Sequence, residues 1–195
     1  YAGVDLASVV DTSGRVITFS YDASGRITNI LDPIGRSVSF TYDVNGDLLT
    51  ATNQEGKVTS YTYDDAHRML TITDPKGSVA ITNTYDEDRS AVIVQRDALG
   101  DETRYLYDAP TKTTTIIDAE GNIFEHHFDD YLRLVEEVDA RGYSSIRTFD
   151  ERGNLESVTD KNGNVTTYEH DENGNVLTKT EPLGRVTSAT YDADN

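Results

Sequence analysis

Apolar and polar residues alternate along this chain in short bursts, and no stretch of ten or more keeps the 3.6-residue rhythm of an amphipathic helix. Bursts such as Val38-Ser-Phe-Thr-Tyr42, Val58-Thr-Ser-Tyr-Thr-Tyr63 and Val165-Thr-Thr-Tyr168 are rich in β-branched and aromatic residues, which predicts strands. Turn signals bound them. An acid or Asn, two residues, then Gly occurs at Asp11–Gly14, Asp32–Gly35, Asn53–Gly56, Asp74–Gly77, Asp97–Gly100, Asp118–Gly121, Asp139–Gly142, Asp160–Gly163 and Glu181–Gly184. The carboxylate can accept a backbone N–H, and Gly supplies the positive φ that a return strand requires. Pro33, Pro75 and Pro182 take the second turn position, where a fixed φ is favourable. A second signal falls between the first ones, at Asp22–Gly25, Asp43–Gly46, Asp150–Gly153 and Asp171–Gly174. Two turns about ten residues apart leave room for strands of about 5–7 residues, so the pattern predicts β-hairpins in succession and an all-β chain.

The hairpins recur with a fixed period. An aromatic or His followed by Asp stands at Tyr21, Tyr42, Tyr63, Tyr85, Tyr107, Phe128, Phe149, His170 and Tyr191, at spacings of 21 or 22 residues. Such a period marks a repeat array, in which each unit touches mainly its neighbours. Residues 1–195 therefore read as one array of about nine repeats. The chain opens without Met and stops inside a turn signal at Tyr191-Asp-Ala-Asp-Asn195, so a fragment of a longer chain is expected.

Residues two apart in a strand share a face. Phe19, Phe40, Tyr61, Tyr105, His126, Arg147, Tyr168 and Ala189 precede the aromatic-Asp positions by two. With Tyr21, Tyr42, Tyr63, Tyr107, Phe128 and Phe149 they predict aromatic ladders across a sheet. On the return strand, Ile27, Leu48, Met69, Leu134, Leu155 and Val176 supply an apolar residue, and Thr, Ser, Asn, Lys and Arg between these positions make the other face polar. Phe128, Phe149 and His170 keep the ring without the tyrosine hydroxyl, which points to stacking rather than hydroxyl chemistry. His67, Arg89, Thr111 and Leu132 replace the Gly of the aromatic-Asp turn, and both 22-residue spacings flank Tyr85. A bulge or longer loop is expected between Ala80 and Asp97.

Composition narrows the possibilities. Hydrophobic residues make up 36% of the chain, which suits a thin sheet better than a packed globule. The formal net charge is −18, from 35 acidic and 17 basic residues. That disfavours nucleic acid and anionic membranes as partners. No Cys is present, so disulfides and thiol chemistry are excluded. No stretch approaches the ~20 apolar residues of a membrane helix.

Candidate chemistry is sparse. Asp43-Val-Asn-Gly-Asp47, Asp160-Lys-Asn-Gly-Asn164 and Asp171-Glu-Asn-Gly-Asn175 resemble calcium loops but lack the distal bidentate Glu. His126 and His127 point to opposite faces of a strand and cannot share a metal by themselves. No nucleophile triad or phosphate loop stands out. The residues predict no catalytic, metal or cofactor site. Asp32, Gly35, Asp74, Gly77, Asp118, Gly121, Asp160 and Gly163 read as structural turn residues, and Tyr21, Phe40, Tyr42, Tyr61, Tyr63, Tyr105, Tyr107, Phe128, Phe149 and Tyr168 as a structural ladder.

The motif in Tyr21-Asp-Ala-Ser-Gly-Arg-Ile27 followed by Asp32-Pro-Ile-Gly35 resembles the RHS/YD repeat, and its tandem copies cover nearly the whole chain. Proteins of that family include Rhs polymorphic toxins, toxin-complex cocoons, wall-associated bacterial proteins and teneurins. The resemblance implies hairpins joined edge to edge into one long curved or spiralling sheet, secreted or on a cell surface, with a bacterial source expected. It implies a non-catalytic shell that encloses or displays another domain, such as a C-terminal toxin. Neighbouring repeats of the parent chain would be its first partners. Toxin-type members also carry a self-cleaving Asp-Pro-x-Gly motif. Asp32-Pro33-Ile34-Gly35 and Asp74-Pro75-Lys76-Gly77 match its wording, but both fall in phase with ordinary turns. Three alternatives stay open at this point. Aromatic faces suit an adhesion module that binds glycans or a partner protein, and carboxylates abound for a glycosidase. Two units of 21 residues also approach the length of a four-stranded propeller blade. About 18 strands at ~4.8 Å would span roughly 85 Å, a segment of wall with unpaired edges, which predicts edge-to-edge self-association.

Overall fold

The structure, a computed structural model, describes residues 5–192; the turn signal at 191–195 therefore ends outside the described residues. The chain divides into two compact units, Tyr1–Glu102 and Thr103–Asn195. The first holds β1 (Ser8–Val10), β2 (Val16–Tyr21), β3 (Ile27–Leu31), β4 (Ser37–Tyr42), β5 (Leu48–Thr52), β6 (Val58–Tyr63), β7 (Met69–Thr73), β8 (Val79–Tyr85) and β9 (Val92–Asp97). The second holds β10 (Glu102–Asp108, whose first residue belongs to the first unit), β11 (Thr113–Ile117), β12 (Ile123–Phe128), β13 (Leu134–Val138), β14 (Ser144–Phe149), β15 (Leu155–Thr159), β16 (Val165–His170), β17 (Val176–Thr180) and β18 (Val186–Ser188). A 3-10 turn at Pro182–Gly184 is the one helical element among the described residues.

Within each unit every strand pairs antiparallel with the next, from β1–β2 to β8–β9 and from β10–β11 to β17–β18. The ladder never breaks after a fourth strand, which rules out propeller blades. The fold is nearly all-β, an open antiparallel meander of hairpins repeating about every 21 residues.

The register departs from simple alternation once per repeat. Tyr42 faces Leu48 while Thr41 faces Thr50, so Leu49 has no opposite partner. Thr28, Leu70, Ile93, Val135, Glu156 and Leu177 are skipped in the same way. Each aromatic-Asp hairpin thus contains a β-bulge that resets the inside-outside alternation. The β10–β11 hairpin is the exception. Its turn is one residue longer, and Tyr107 faces Thr114 with no bulge, so an added turn residue and a lost bulge leave the 21-residue period intact. The 22-residue spacings have separate origins. Ala80 is bulged out of β8, between the pairs Thr73–Val79 and Ile72–Ile81, and the turn after Tyr85 closes from Asp86 N to Ala91 O, one residue later than its counterparts.

The two faces differ in chemistry. On one, Phe19 faces Ile30, Phe40 faces Ala51 and Tyr61 faces Ile72. The other face carries at least two hydroxyl residues per strand in β4–β8, among them Ser39 and Thr41, Thr50 and Thr52, Ser60 and Thr62, Thr71 and Thr73, Thr82 and Thr84. Cross-strand pairs Thr41–Thr50 and Thr62–Thr71 bond through their hydroxyls at 2.6 and 2.7 Å. No hydrophobic side chain is buried among the described residues, and Asn83, 7% exposed, is the one buried residue. The chain exposes 13491 Å², against about 9,200 Å² expected for a compact protein of its mass. Within each unit the described strands lie beside one another in sequence order.

Candidate functional site

Since burial is shallow throughout, the densest interactions lie at the turns. Asp22 shows the common plan. Its backbone N–H donates to Arg26 O, and Gly25 N–H donates to Asp22 O. Asp22 Oδ1 accepts the N–H groups of Ser24 and Arg26 at 2.8 and 3.0 Å, and Oδ2 accepts Arg26 Nε at 2.7 Å. One carboxylate therefore satisfies two backbone donors and one side chain. Gly25 sits at φ +77°, where an L side chain is strained. The same plan recurs at Asp11 with Arg15, Asp32 with Arg36, Asp64 with Arg68 and Asp129 with Arg133. Asn takes the arginine's place at Asn122, Asn154, Asn164 and Asn175, whose Nδ2 groups reach Asp118, Asp150, Asp160 and Asp171 at 2.8–3.0 Å.

These bonds favour the charged carboxylate. The Arg26 backbone N–H and then its guanidinium hold the Asp22 carboxyl below its ordinary value, and the Arg15 and Arg68 groups do so for Asp11 and Asp64. At Asp32 and Asp129 burial is the largest single effect and pulls upward, but the combined Arg36 and Arg133 bonds outweigh it. Asp139 is lowered to about 2, chiefly by Lys161 Nζ, which donates at 2.9 Å from the next turn on the same edge.

Arginines of the aromatic-Asp turns also reach across repeats. The guanidinium of Arg26 lies 4.4 Å from the Tyr42 ring, that of Arg68 5.0 Å from Tyr85 and that of Arg133 4.4 Å from Phe149. Each is held by its own turn's aspartate and stacked on the next repeat's aromatic. Tyrosine hydroxyls make a second link, donating to the preceding return strand or the segment just before it: Tyr42 to Ile27 O and Tyr85 to Met69 O, both at 2.8 Å, Tyr21 to Leu6 O at 2.9 Å and Tyr191 to Val176 O at 3.1 Å. The hydroxyl thus adds a structural hydrogen bond where Tyr is present, beside the ring stacking that Phe149 keeps without it. Where Asp47 replaces the arginine, His67 of the next turn reaches back, with Nδ1 2.9 Å from both Asp47 oxygens.

Two turns differ from the sequence expectation. The left-handed position after Asp86 belongs to Ser90, φ 54°, and not Arg89; after Asp108 it belongs to Lys112, φ 53°, and not Thr111. Both turns hold one residue more than the simple spacing implies. His67 and Leu132 do occupy that conformation, at φ 61° and 60°.

The aromatic ladder is interrupted in both units. Asn83 stands opposite Gln95, donates to Met69 O at 3.0 Å and accepts Gln95 Nε2 at 2.9 Å. In the second unit, His126 faces Glu137, which accepts Arg147 Nη2 at 2.8 Å. His126 Nε2 stays 3.9 Å from Glu137, and His127 turns to the opposite face, with Nδ1 3.1 Å from Thr113 Oγ1. Carboxylates of the calcium-like loops are occupied by their own turns: Asp160 Oδ1 accepts two backbone N–H groups and Oδ2 accepts Asn164. Asp32 and Asp74 of the Asp-Pro-x-Gly turns hold the same backbone donors. The hollow of ≈ 520 Å³ lined by Asp150, Glu151, Arg152, His170, Asp171 and Glu172 lies between successive turns and opens to solvent.

The link that sequence reasoning missed is the residue after the turn Gly. Its signal is plain in retrospect: Gly25-Arg26, Gly35-Arg36, Gly153-Asn154 and Gly174-Asn175 all place a long donor where it can reach the turn aspartate.

The RHS repeat family model matches residues 2–36, 21–53, 42–79 and 149–186. No curated protein sequence matches the chain. Among solved structures, TcdB2-TccC3-Cdc42 aligns at a TM-score of 0.55 and 16% identity over 92% of this chain, which shows a shared fold. TcdB2-TccC3-TEV aligns at 0.45 and 13% over 91%, and the Photorhabdus luminescens Tc holotoxin pore at 0.32 and 14% over 93%. The chain spans 11%, 13% and 15% of those three chains.

Proposed function

The chain belongs to the RHS repeat family, and from that membership we propose that it is a non-catalytic length of shell wall that encloses or displays another domain, such as a C-terminal toxin. The observation that carries this reading is the absence of any buried hydrophobic side chain among the described residues, joined to turns whose carboxylates are taken up by their own backbone. A catalytic site needs groups held in a concave, water-excluding pocket, and the polar groups here are used to close hairpins. Under this reading the turn residues Asp32, Gly35, Asp74, Gly77, Asp118, Gly121, Asp160 and Gly163 and the ladder aromatics are structural, and neighbouring repeats of a parent chain are the partners. The similarity to TcdB2-TccC3 supports a secreted or surface-exposed bacterial protein.

Limited proteolysis of the full-length parent tests the proposal. A domain beyond the repeats should resist digestion while the array is folded, and become sensitive when Gly35→Pro and Gly163→Pro break two turns. Equal digestion of both proteins would overturn enclosure. A second reading, adhesion to glycans, is favoured by the half-exposed aromatics Phe40, Tyr42, Tyr61 and Tyr63 along the first unit. Saturable binding on a glycan array, lost in Tyr61→Ala, would replace the first reading with the second.

A further inference from the structure

Glycine at the left-handed turn position has a second duty in the aromatic-Asp turns. A Cβ added to Gly46 would stand 3.1 Å from Arg26 Nη1, one on Gly153 3.3 Å from Arg133 Nη1, and one on Gly174 3.0 Å from Asn154 Oδ1. In each case the obstacle is the residue that closes the preceding aromatic-Asp turn. These side chains are not free to step aside. Arg26 and Arg133 bond to Asp22 and Asp129 at 2.7 Å and stack on Tyr42 and Phe149, and Asn154 bonds to Asp150 at 3.0 Å. The intervening turns differ. A Cβ on Gly35, Gly56, Gly77 or Gly163 would meet nothing within 4 Å, although Arg15, Arg36, Lys57 and Tyr143 close the turns before them. Glycine there answers to φ alone.

Where a long side chain occupies the left-handed position of an aromatic-Asp turn, the residue that closes the turn before it is short. His67, φ 61°, comes after Asp47, and Leu132, φ 60°, comes after Thr113. Asp47 leaves room that His67 fills, with Nδ1 2.9 Å from both carboxylate oxygens. Thr113 turns its hydroxyl toward His127 Nδ1, 3.1 Å away on the neighbouring strand, and Leu132 stands clear in solvent. Arg68 is long again, and the left-handed residue of the next turn is Ser90, φ 54°. Among the described residues of either unit, no long closing residue precedes a long left-handed one.

We propose that the residue closing one aromatic-Asp turn and the left-handed residue of the next form an interlock that selects which repeat can follow which. A long closing residue admits only Gly or Ser after it, because a larger side chain would push the guanidinium or amide off its aspartate. A short closing residue admits His or Leu. The selection comes from a clash with the wrong neighbour rather than from attraction to the right one, so Leu132 is tolerated without being stabilising. It concerns the order of repeats and does not depend on what the wall encloses.

Double-mutant cycles on the full chain, read as urea midpoints, test the interlock. Gly46→Leu should lower the midpoint, and should lower it less once Arg26→Ala has removed the obstacle. Gly35→Leu carries the left-handed strain without the clash, so its drop should be the same with and without Arg15→Ala. In the reciprocal direction, Thr113→Arg should cost more beside Leu132 than beside Leu132→Gly. Additivity of Gly46→Leu and Arg26→Ala would overturn the proposal, and so would equal coupling between Gly35→Leu and Arg15→Ala. If Gly46→Leu alone does not fold, the cycle is run with Gly46→Ala, whose Cβ meets the same atom, and additivity there counts equally against the interlock.

Discussion

Tyr42→Phe removes one atom, and the structure says what that atom does. Its hydroxyl donates to Ile27 O at 2.8 Å, from one repeat to the return strand of the one before. The ring remains under the Arg26 guanidinium, 4.4 Å away, so stacking survives and the hydrogen bond alone is lost. A bond of this kind contributes about 0.5–1.5 kcal/mol net, and the Ile27 carbonyl is only partly buried, which sets the expectation near the lower half of that range. The reciprocal change is Phe149→Tyr. Arg133 covers Phe149 at the same 4.4 Å, and Leu134 stands where Ile27 does, 15 residues earlier, so an added hydroxyl has an acceptor waiting. It should stabilise by about 0.5–1 kcal/mol. Urea denaturation followed by circular dichroism reads both, with the midpoint falling for Tyr42→Phe and rising for Phe149→Tyr at constant slope. If neither midpoint moves, the hydroxyl link is inert and the tyrosine bias of the repeat needs another cause.

Three further outcomes follow. Leu132 is 76% exposed and sits at φ 60°, so Leu132→Gly relieves a left-handed strain and should stabilise by about 0.5–1 kcal/mol after the entropy of Gly is subtracted; a lower denaturation midpoint would contradict it. Asn83→Ala leaves Gln95 without its acceptor and Met69 O without one of its two donors, and should destabilise by about 1–3 kcal/mol, checked in the same assay. Folding lowers the Asp139 carboxyl to about 2, mainly through Lys161, below the unfolded value near 4. The stability gap between wild type and Lys161→Met should be full above about pH 4 and close as pH falls through about 2, whereas a gap unchanged at pH 2 would exclude the pair as its source.

Strands, turns and the repeat were legible because each rests on local chemistry. Asp at the first turn position and Gly at the fourth leave a mark within four residues, and alternation leaves one within six. Contacts between repeats were harder to read because they join residues about 15 apart in sequence: Tyr42 to Ile27, and Arg26 to Tyr42. Arg26 looks like an ordinary polar residue after a turn until its partner is known. The bulge was hidden for a related reason. Skipping Leu49 changes which residues share a face without changing the period, so the ladder aromatics could be named while the pairing beneath them could not. Ser90 and Lys112 show the limit of counting, because a turn with one more residue moves the left-handed position past the residue that fixed spacing selects.

Neighbouring repeats are linked by turn arginines clamped to one repeat and stacked on the next. A double-mutant cycle between Arg26 and Tyr42, using Arg26→Met and Tyr42→Leu, measures that directly. The two changes should couple by about 0.5–1 kcal/mol or more. Strict additivity would show that the clamp carries nothing between repeats, and that the wall is held by its backbone ladder alone.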